Sequence, residues 1–334
     1  MPVYTELTTQ IVFFAASLFV LIKSADYLVK YSEKLGLSLG VPQFIIGITL
    51  ISAGTSLPEL ATSIFSILKG EPSVVAGNVI GSNIANILLV VGITTIIVKK
   101  VEIKRSLIRL DLPLLVASGA ILVLTLSDGT FTFFEALVSL VGFIVYLTYS
   151  VTQPRGPLAE KEKEFIEATT EEKTKKTLLQ KRPPFKWHYV LFVLISATTL
   201  YFSADFTIEA VIKMGKLLNI ETSIIAITAV AIGTSLPELM VSIMAARKGN
   251  FDIALGNILG SNIFNGFLIM GVAGLISELP IDMPVLLIGL PFFVVATILL
   301  VFSGIERKFY HFEGAFFLIL YVLFIQQLYQ TIAV

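Results

Sequence analysis

The chain has 334 residues, of which 55% are hydrophobic and only 14% charged, and that composition excludes a soluble enzyme of this size. Lysine plus arginine and aspartate plus glutamate both number 24, so net charge points to no nucleic acid or other charged partner. There is no cysteine, which removes a disulfide framework, a thiolate nucleophile and any thiolate metal site.

A helix needs about 20 mostly apolar residues to cross the hydrocarbon core. Runs of that kind predict ten spans in chain order: 9–33, 41–68, 73–98, 108–127, 131–150, 187–214, 222–246, 252–277, 283–303 and 309–331. The first run has no basic segment before it and no cleavage site after it, so it reads as a retained helix. Ten spans put both termini on one side. Basic residues then sort the loops, with 20 on one side and 3 (Lys69, Lys213, Lys216) on the other. Lysine and arginine favour cytoplasmic loops, which places both termini outside and the 151–186 loop inside a plasma membrane. That loop holds nine basic and six acidic residues with four prolines, and reads as a solvated linker.

The second span carries Gly54-Thr55-Ser56-Leu57-Pro58-Glu59-Leu60, and the seventh repeats it as Gly233-Thr234-Ser235-Leu236-Pro237-Glu238-Leu239. The third span carries Gly77-Asn78-Val79-Ile80-Gly81-Ser82-Asn83-Ile84, and the eighth Gly256-Asn257-Ile258-Leu259-Gly260-Ser261-Asn262-Ile263. Both copies are offset by 179 residues, as are Ser24-Ala25-Asp26 and Ser203-Ala204-Asp205. Five spans per copy is odd, so the second copy enters the membrane from the opposite side. The expected fold is an all-α integral membrane protein of ten transmembrane helices in two inverted five-helix repeats. The first repeat is 1–150, the linker 151–186 and the second repeat 187–334. In that architecture the site lies near the midplane between repeats.

A carboxylate inside a membrane span is costly and marks a functional site by default. Here there is one per half, Glu59 and Glu238. Pro58 and Pro237 have no N–H to offer Gly54 and Gly233, so each helix kinks and frees a carbonyl beside hydroxyls (Ser52, Thr55, Ser56; Thr234, Ser235). All of these donors are oxygens, a set that suits hard cations such as Ca²⁺ and Na⁺. Glu59 follows Ser56 by three and Thr55 by four, which puts the three on one helix face. Asn78, Ser82 and Asn86, and Asn257, Ser261 and Asn265, form polar stripes with a spacing of four. Asp111, Asp282, Glu135 and Glu313 stand near helix starts and read as caps. Asp26 has Lys23 three residues before it, and reads either as a pore-entrance charge or as half of an ion pair.

At these motifs the chain resembles the Ca²⁺/cation antiporter superfamily, specifically the sodium/calcium exchanger family and its prokaryotic members. The family's G-T-S-x-P-E and G-S-N-x-x-[ND] motifs occur twice each, in order, and the resemblance covers nearly the whole chain. It implies a cation site formed by Glu59, Glu238, Thr55, Ser56, Thr234, Ser235, Ser82, Ser261, Asn86 and Asn265. It further implies carbonyls lent by Ser52, where the family usually has Ala, and by Ala231. Potassium-dependent members carry Asp at the position of Asn265, so the resemblance is to the potassium-independent type. It implies Na⁺ exchanged for Ca²⁺ by alternating access, electrogenic, extruding Ca²⁺, with no cofactor. A proton/Ca²⁺ antiporter of the same fold is the alternative. A cation channel would need a ring of carboxylates around an open pore, which two inverted halves do not provide. An intramembrane hydrolase would need a nucleophile with its base, and no histidine lies mid-span. The expected partners are the lipid bilayer and the two ions. Nothing in the sequence sets an oligomeric state.

Overall fold

The computed structural model describes residues 2–41, 43–98, 100–102, 111–152, 184–218, 233–306 and 308–332. The linker therefore lies outside the described residues except at its two ends, and so does Ala231.

Helix α1 (Pro2–Ser38) runs past both ends of its predicted span, because nothing before Gly40 stops it. At Gly40 the backbone turns left-handed, φ 71°, and Val41 N–H closes onto the Gly36 carbonyl at 2.8 Å. Next come α2 (Gln43–Ile46), a π-helical turn over Gly47–Ile51, α3 (Ser52–Thr55) and α4 (Leu57–Leu68). Helix α5 (Val74–Ile84) passes through a π segment, Ala85–Val90, into α6 (Val91–Val98). Strand β1 (Lys100–Glu102), α7 (Asp111–Leu126), β2 (Thr130–Phe131) and α8 (Phe133–Thr152) complete this half.

The second half opens with α9 (Trp187–Leu217), and α10 (Leu236–Arg247) follows. Then α11 (Phe251–Ile263), a π segment over Phe264–Ile269 and α12 (Met270–Ile276) form one long rod. After β3 (Leu279–Pro280), a π turn at Val285–Gly289 leads into α13 (Leu290–Ile305), and β4 (Lys308–Tyr310) precedes α14 (His311–Ile332).

Seven helices among the described residues are long and apolar enough to cross a membrane. The other three predicted spans differ from continuous helices for local reasons. Span 41–68 is cut at Ser56 beside Pro58, span 108–127 is the 16-residue α7, and much of span 222–246 lies outside the described residues. The rods α5–α6 and α11–α12 form the core, with 78% and 83% of their apolar windows buried. Helices α1, α8, α9, α13 and α14 surround them, and their windows are 17–33% buried. Phe134, Leu124 and Phe312 point outward from the helices, as side chains facing lipid do.

Small residues set the closest crossings. A Cβ on Gly92 would lie 3.0 Å from the Gly314 carbonyl, and one on Gly271 would lie 3.2 Å from the Ala136 carbonyl. In each half the third span thus packs on the fifth span of the other half. Two short antiparallel ribbons repeat that exchange: β1 pairs with β4, Lys100 opposite Tyr310, and β2 with β3, Thr130 opposite Pro280. Glu135 and Glu313 act as expected at the adjacent helix starts, accepting from Thr132 N–H at 2.7 Å and Tyr310 N–H at 2.9 Å.

Candidate cation-binding site

The site begins at two broken helices. Ser56 separates α3 from α4 at φ −91°, ψ 4°, and Ser235 precedes α10 at φ −87°, ψ 3°. Pro58 and Pro237 are the local cause. Proline is tolerated in a helix's first turn, where its missing N–H costs nothing, but not in mid-helix. Glu59 and Glu238 therefore stand in the first turn of a new helix, near the positive end of its dipole.

Both carboxylates are fully buried. They lie close enough to feel each other's charge. Glu238 Oε1 accepts from Ser56 Oγ at 3.2 Å, and the hydroxyls of Thr55 and Ser261 also face this carboxylate. Neither oxygen of Glu59 has a hydrogen-bond partner, and neither does Glu238 Oε2. Among the described residues no lysine, arginine or histidine pairs with either glutamate.

Hydroxyls cross between the halves in matching pairs. Ser82 and Thr234 are 2.9 Å apart, and Thr55 and Ser261 are 3.4 Å apart. The 179-residue offset converts one pair into the other. Asn78 and Asn257 work from behind. Each donates to the backbone carbonyl of its own half's glutamate, at 3.3 and 3.4 Å, and to Ser63 at 3.3 Å or Ser242 at 3.1 Å. They hold the glutamate backbones in place and leave the carboxylates free. Asn86 and Asn265 occupy the two π segments at equivalent places, a deformation common at functional sites.

Where the rods cross, Asn83 donates to the Asn262 carbonyl at 3.4 Å, and Asn265 donates to Asn83 Oδ1 at 3.0 Å. The side chains of Asn86 and Asn262 and the Oδ1 of Asn265 have no hydrogen-bond partner, nor does Ser235 Oγ. Buried polar atoms are nearly always paired, so an unpaired set with two carboxylates in it requires a ligand. The unpaired atoms are mainly acceptor oxygens, which fits a hard cation. Among the described residues no group of three His, Cys, Asp or Glu side chains occurs, so hydroxyls and amides must supply the remaining ligands.

The structure thus brings Thr55, Ser56, Glu59 and Ser82 together with Thr234, Ser235, Glu238 and Ser261, and sets Asn86 and Asn265 on the same polar stripes. One detail differs from the sequence expectation: Ser56 reaches across to Glu238 rather than along its own face to Glu59. The Ser52 hydroxyl bonds back to the Ile48 carbonyl at 2.8 Å, and the Ser52 carbonyl accepts from Ser56 N–H at 2.9 Å and Thr55 Oγ1 at 3.2 Å. Sequence reasoning passed over Asn83 and Asn262, although both stand inside the repeated Gly-Ser-Asn phrase. Asp26 pairs with Lys248, not Lys23, which lies over the Phe19 ring.

Comparison with known proteins gives the same picture. The family model described as "Sodium/calcium exchanger protein" matches residues 9–152 and 188–329. The chain is 32% identical over 351 residues to sodium/calcium exchanger MaX1 of Methanosarcina acetivorans, covering 96% of this chain and 98% of that protein. It is 34% identical over 274 residues to the inner membrane protein YrbG of Escherichia coli, covering 79% of each. Among solved structures, a form of the sodium-calcium exchanger NCX_Mj soaked without Na⁺ and Ca²⁺ aligns with TM-score 0.77 at 27% identity, over 94% of this chain and 97% of that one.

Proposed function

Because the chain belongs to the sodium/calcium exchanger family, a family of multi-pass membrane transporters, we propose that it exchanges Na⁺ for Ca²⁺ by alternating access. One observation carries the reading: two fully buried carboxylates, one from each half, share a core with hydroxyl and amide oxygens and no side-chain cation. Unpaired buried carboxylates are unstable alone, and a divalent ion neutralises both. Calcium takes six to eight oxygens in flexible geometry. Glu59 and Glu238, aided by Thr55, Ser56, Thr234, Ser235, Ser82, Ser261, Asn86 and Asn265, can supply them. The same oxygens can serve several Na⁺ ions, so the two cargoes compete for one set of ligands.

In this reading 1–150 and 187–334 are inverted five-helix halves joined by a cytoplasmic linker. Both termini face outside the plasma membrane, and Ca²⁺ leaves the cell. Asn265 adds no charge, so no K⁺ is bound alongside. The experiment is ⁴⁵Ca²⁺ uptake into proteoliposomes loaded with Na⁺, with K⁺, or with protons under an imposed pH gradient. Uptake driven by internal Na⁺ alone supports the proposal. Uptake driven by protons and indifferent to Na⁺ replaces it with proton/Ca²⁺ antiport.

A further inference from the structure

Outside the cation site the offset of 179 residues relates one more pair of charges. Lys248 Nζ lies 2.7 Å from Asp26 Oδ1 and 3.1 Å from the Asp26 carbonyl. Subtracting 179 from Lys248 gives Lys69, and adding 179 to Asp26 gives Asp205. The lysines are presented by the same turn. Lys69 and Lys248 each end a helix and precede a left-handed glycine, Gly70 at φ 82° and Gly249 at φ 75°. Each turn closes with matching bonds: Gly70 N–H to Ile67 and Glu71 N–H to Ser66, Gly249 N–H to Ala246 and Asn250 N–H to Ala245. Yet among the described residues Asp205 and Lys69 form no ion pair.

The packing around the two pairs differs in the same sense. Helix α1 lies along α10, which carries Lys248. Helix α9, the counterpart of α1, barely touches α4, which carries Lys69. Helices α1 and α9 pack against each other along their length, and Thr207 donates to Ser17 Oγ at 3.1 Å between them. They form one body that leans on the second half at one end and stands off the first half at the other.

From this we infer that Asp26–Lys248 and Asp205–Lys69 are alternate latches for the exchange step. One closes the passage at one membrane face, and the other closes when the passage at the opposite face does. The inference rests on the exchanger reading for the purpose of the movement, and on the inverted halves for placing the pairs at opposite faces. Both partners in the formed pair are about a third exposed, 32% for Lys248 and 38% for Asp26. Such a pair is partly screened and biases an equilibrium only several-fold. That suits a latch released in every cycle. These residues position the moving helices and hold no ion.

The test uses the absence of native cysteine. The pairs Asp26→Cys with Lys248→Cys, and Asp205→Cys with Lys69→Cys, are each treated with a short bis-methanethiosulfonate, since a direct disulfide cannot span a lysine's reach. Both pairs should crosslink, and in the four-cysteine protein crosslinking of one should protect the other. Lys248→Asp in the Asp205/Lys69 cysteine background should raise that crosslinking rate by roughly 1.5- to 5-fold, and adding Asp26→Lys should reverse the rise. A fold defect would lower both rates together, and the swapped pair would not rescue it. Absence of Asp205/Lys69 crosslinking, or a rate indifferent to Lys248→Asp, overturns the inference. Crosslinking needs no cargo, so failure of Na⁺-driven ⁴⁵Ca²⁺ uptake by the unsubstituted protein would count against the exchanger reading alone.

Discussion

Gly260→Ala places one methyl group where two helices of the site meet. The new Cβ would stand 2.6 Å from the Ile48 carbonyl oxygen, 2.6 Å from Ser52 Oγ and 2.8 Å from Ile48 Cα. Ordinary contact begins near 3.4 Å, so the α11 rod and the π turn before Ser52 must part by roughly 0.8 Å. Two of the three obstacles are backbone, which a rotamer change cannot move. The methyl also strikes the Ser52–Ile48 hydrogen bond, which sits one turn before Thr55. Overpacking of this kind costs about 1–3 kcal/mol. Its effect on exchange should be larger, because misplacing ligands by about 1 Å costs on the order of 100-fold in a positioned reaction. The measurement is initial Na⁺-driven ⁴⁵Ca²⁺ flux beside the thermal midpoint in detergent. Gly119→Ala is the control: its Cβ would meet Phe293 at 3.4 Å, away from the site, and alanine favours the helix. Flux should fall steeply in Gly260→Ala and hold in Gly119→Ala. Adding Ser52→Ala should recover only part of the loss, since the backbone contacts remain. Near-normal flux and an unchanged midpoint in Gly260→Ala would refute the close approach.

Three further outcomes follow from the site. Glu59→Gln and Glu238→Gln should each weaken Ca²⁺ binding by about two orders of magnitude or more, since breaking a buried charge pair costs about 3–5 kcal/mol; tight Ca²⁺ binding by either variant in calorimetry would remove that residue from the site. Exchange should proceed without K⁺, because Asn86 and Asn265 bring amides where a third carboxylate would stand; a strict K⁺ requirement on the Ca²⁺ side would contradict it. Exchange of three Na⁺ for one Ca²⁺ moves one net charge, worth about 2.3 kcal/mol per 100 mV, so valinomycin-clamped vesicles should show the equilibrium Ca²⁺ ratio shifting roughly fifty-fold per 100 mV; a ratio indifferent to voltage would mean electroneutral exchange.

The repeat, the broken helices and most of the oxygen cluster were legible in the sequence because symmetry amplified them. A lone Pro-Glu pair in an apolar run is ambiguous, but two at one offset are not. The offset also foretold that Ser82–Thr234 and Thr55–Ser261 would be equivalent pairs, though not that they would touch. Asn83 and Asn262 escaped because a motif gives residue types and no direction. Only the crossing of the rods turns them toward each other. The partner of Asp26 escaped for a similar reason: Lys23 is near in sequence, whereas Lys248 is near only after α1 docks on α10. What no repeat can foretell is its own violation. Ser56 bonds to Glu238 while Ser235 Oγ has no partner, and such asymmetry belongs to a conformational state, not to the code.

The exchange of fifth helices between halves bears on how the chain is made. The ribbon β1 waits for residues 308–310, and Gly92 on α6 waits for Gly314 on α14. The N-terminal half therefore cannot finish its own packing as it leaves the ribosome, and its closing partner is the last helix synthesised. Contacts spanning more than 200 residues are slow to form and leave surfaces open in the meantime. A ribosome stalled before α14 would hold a membrane-inserted but unsealed intermediate, with the flank of α6 bare to lipid. Co-expressed halves could assemble only as a matched set, because each carries the other's final strut.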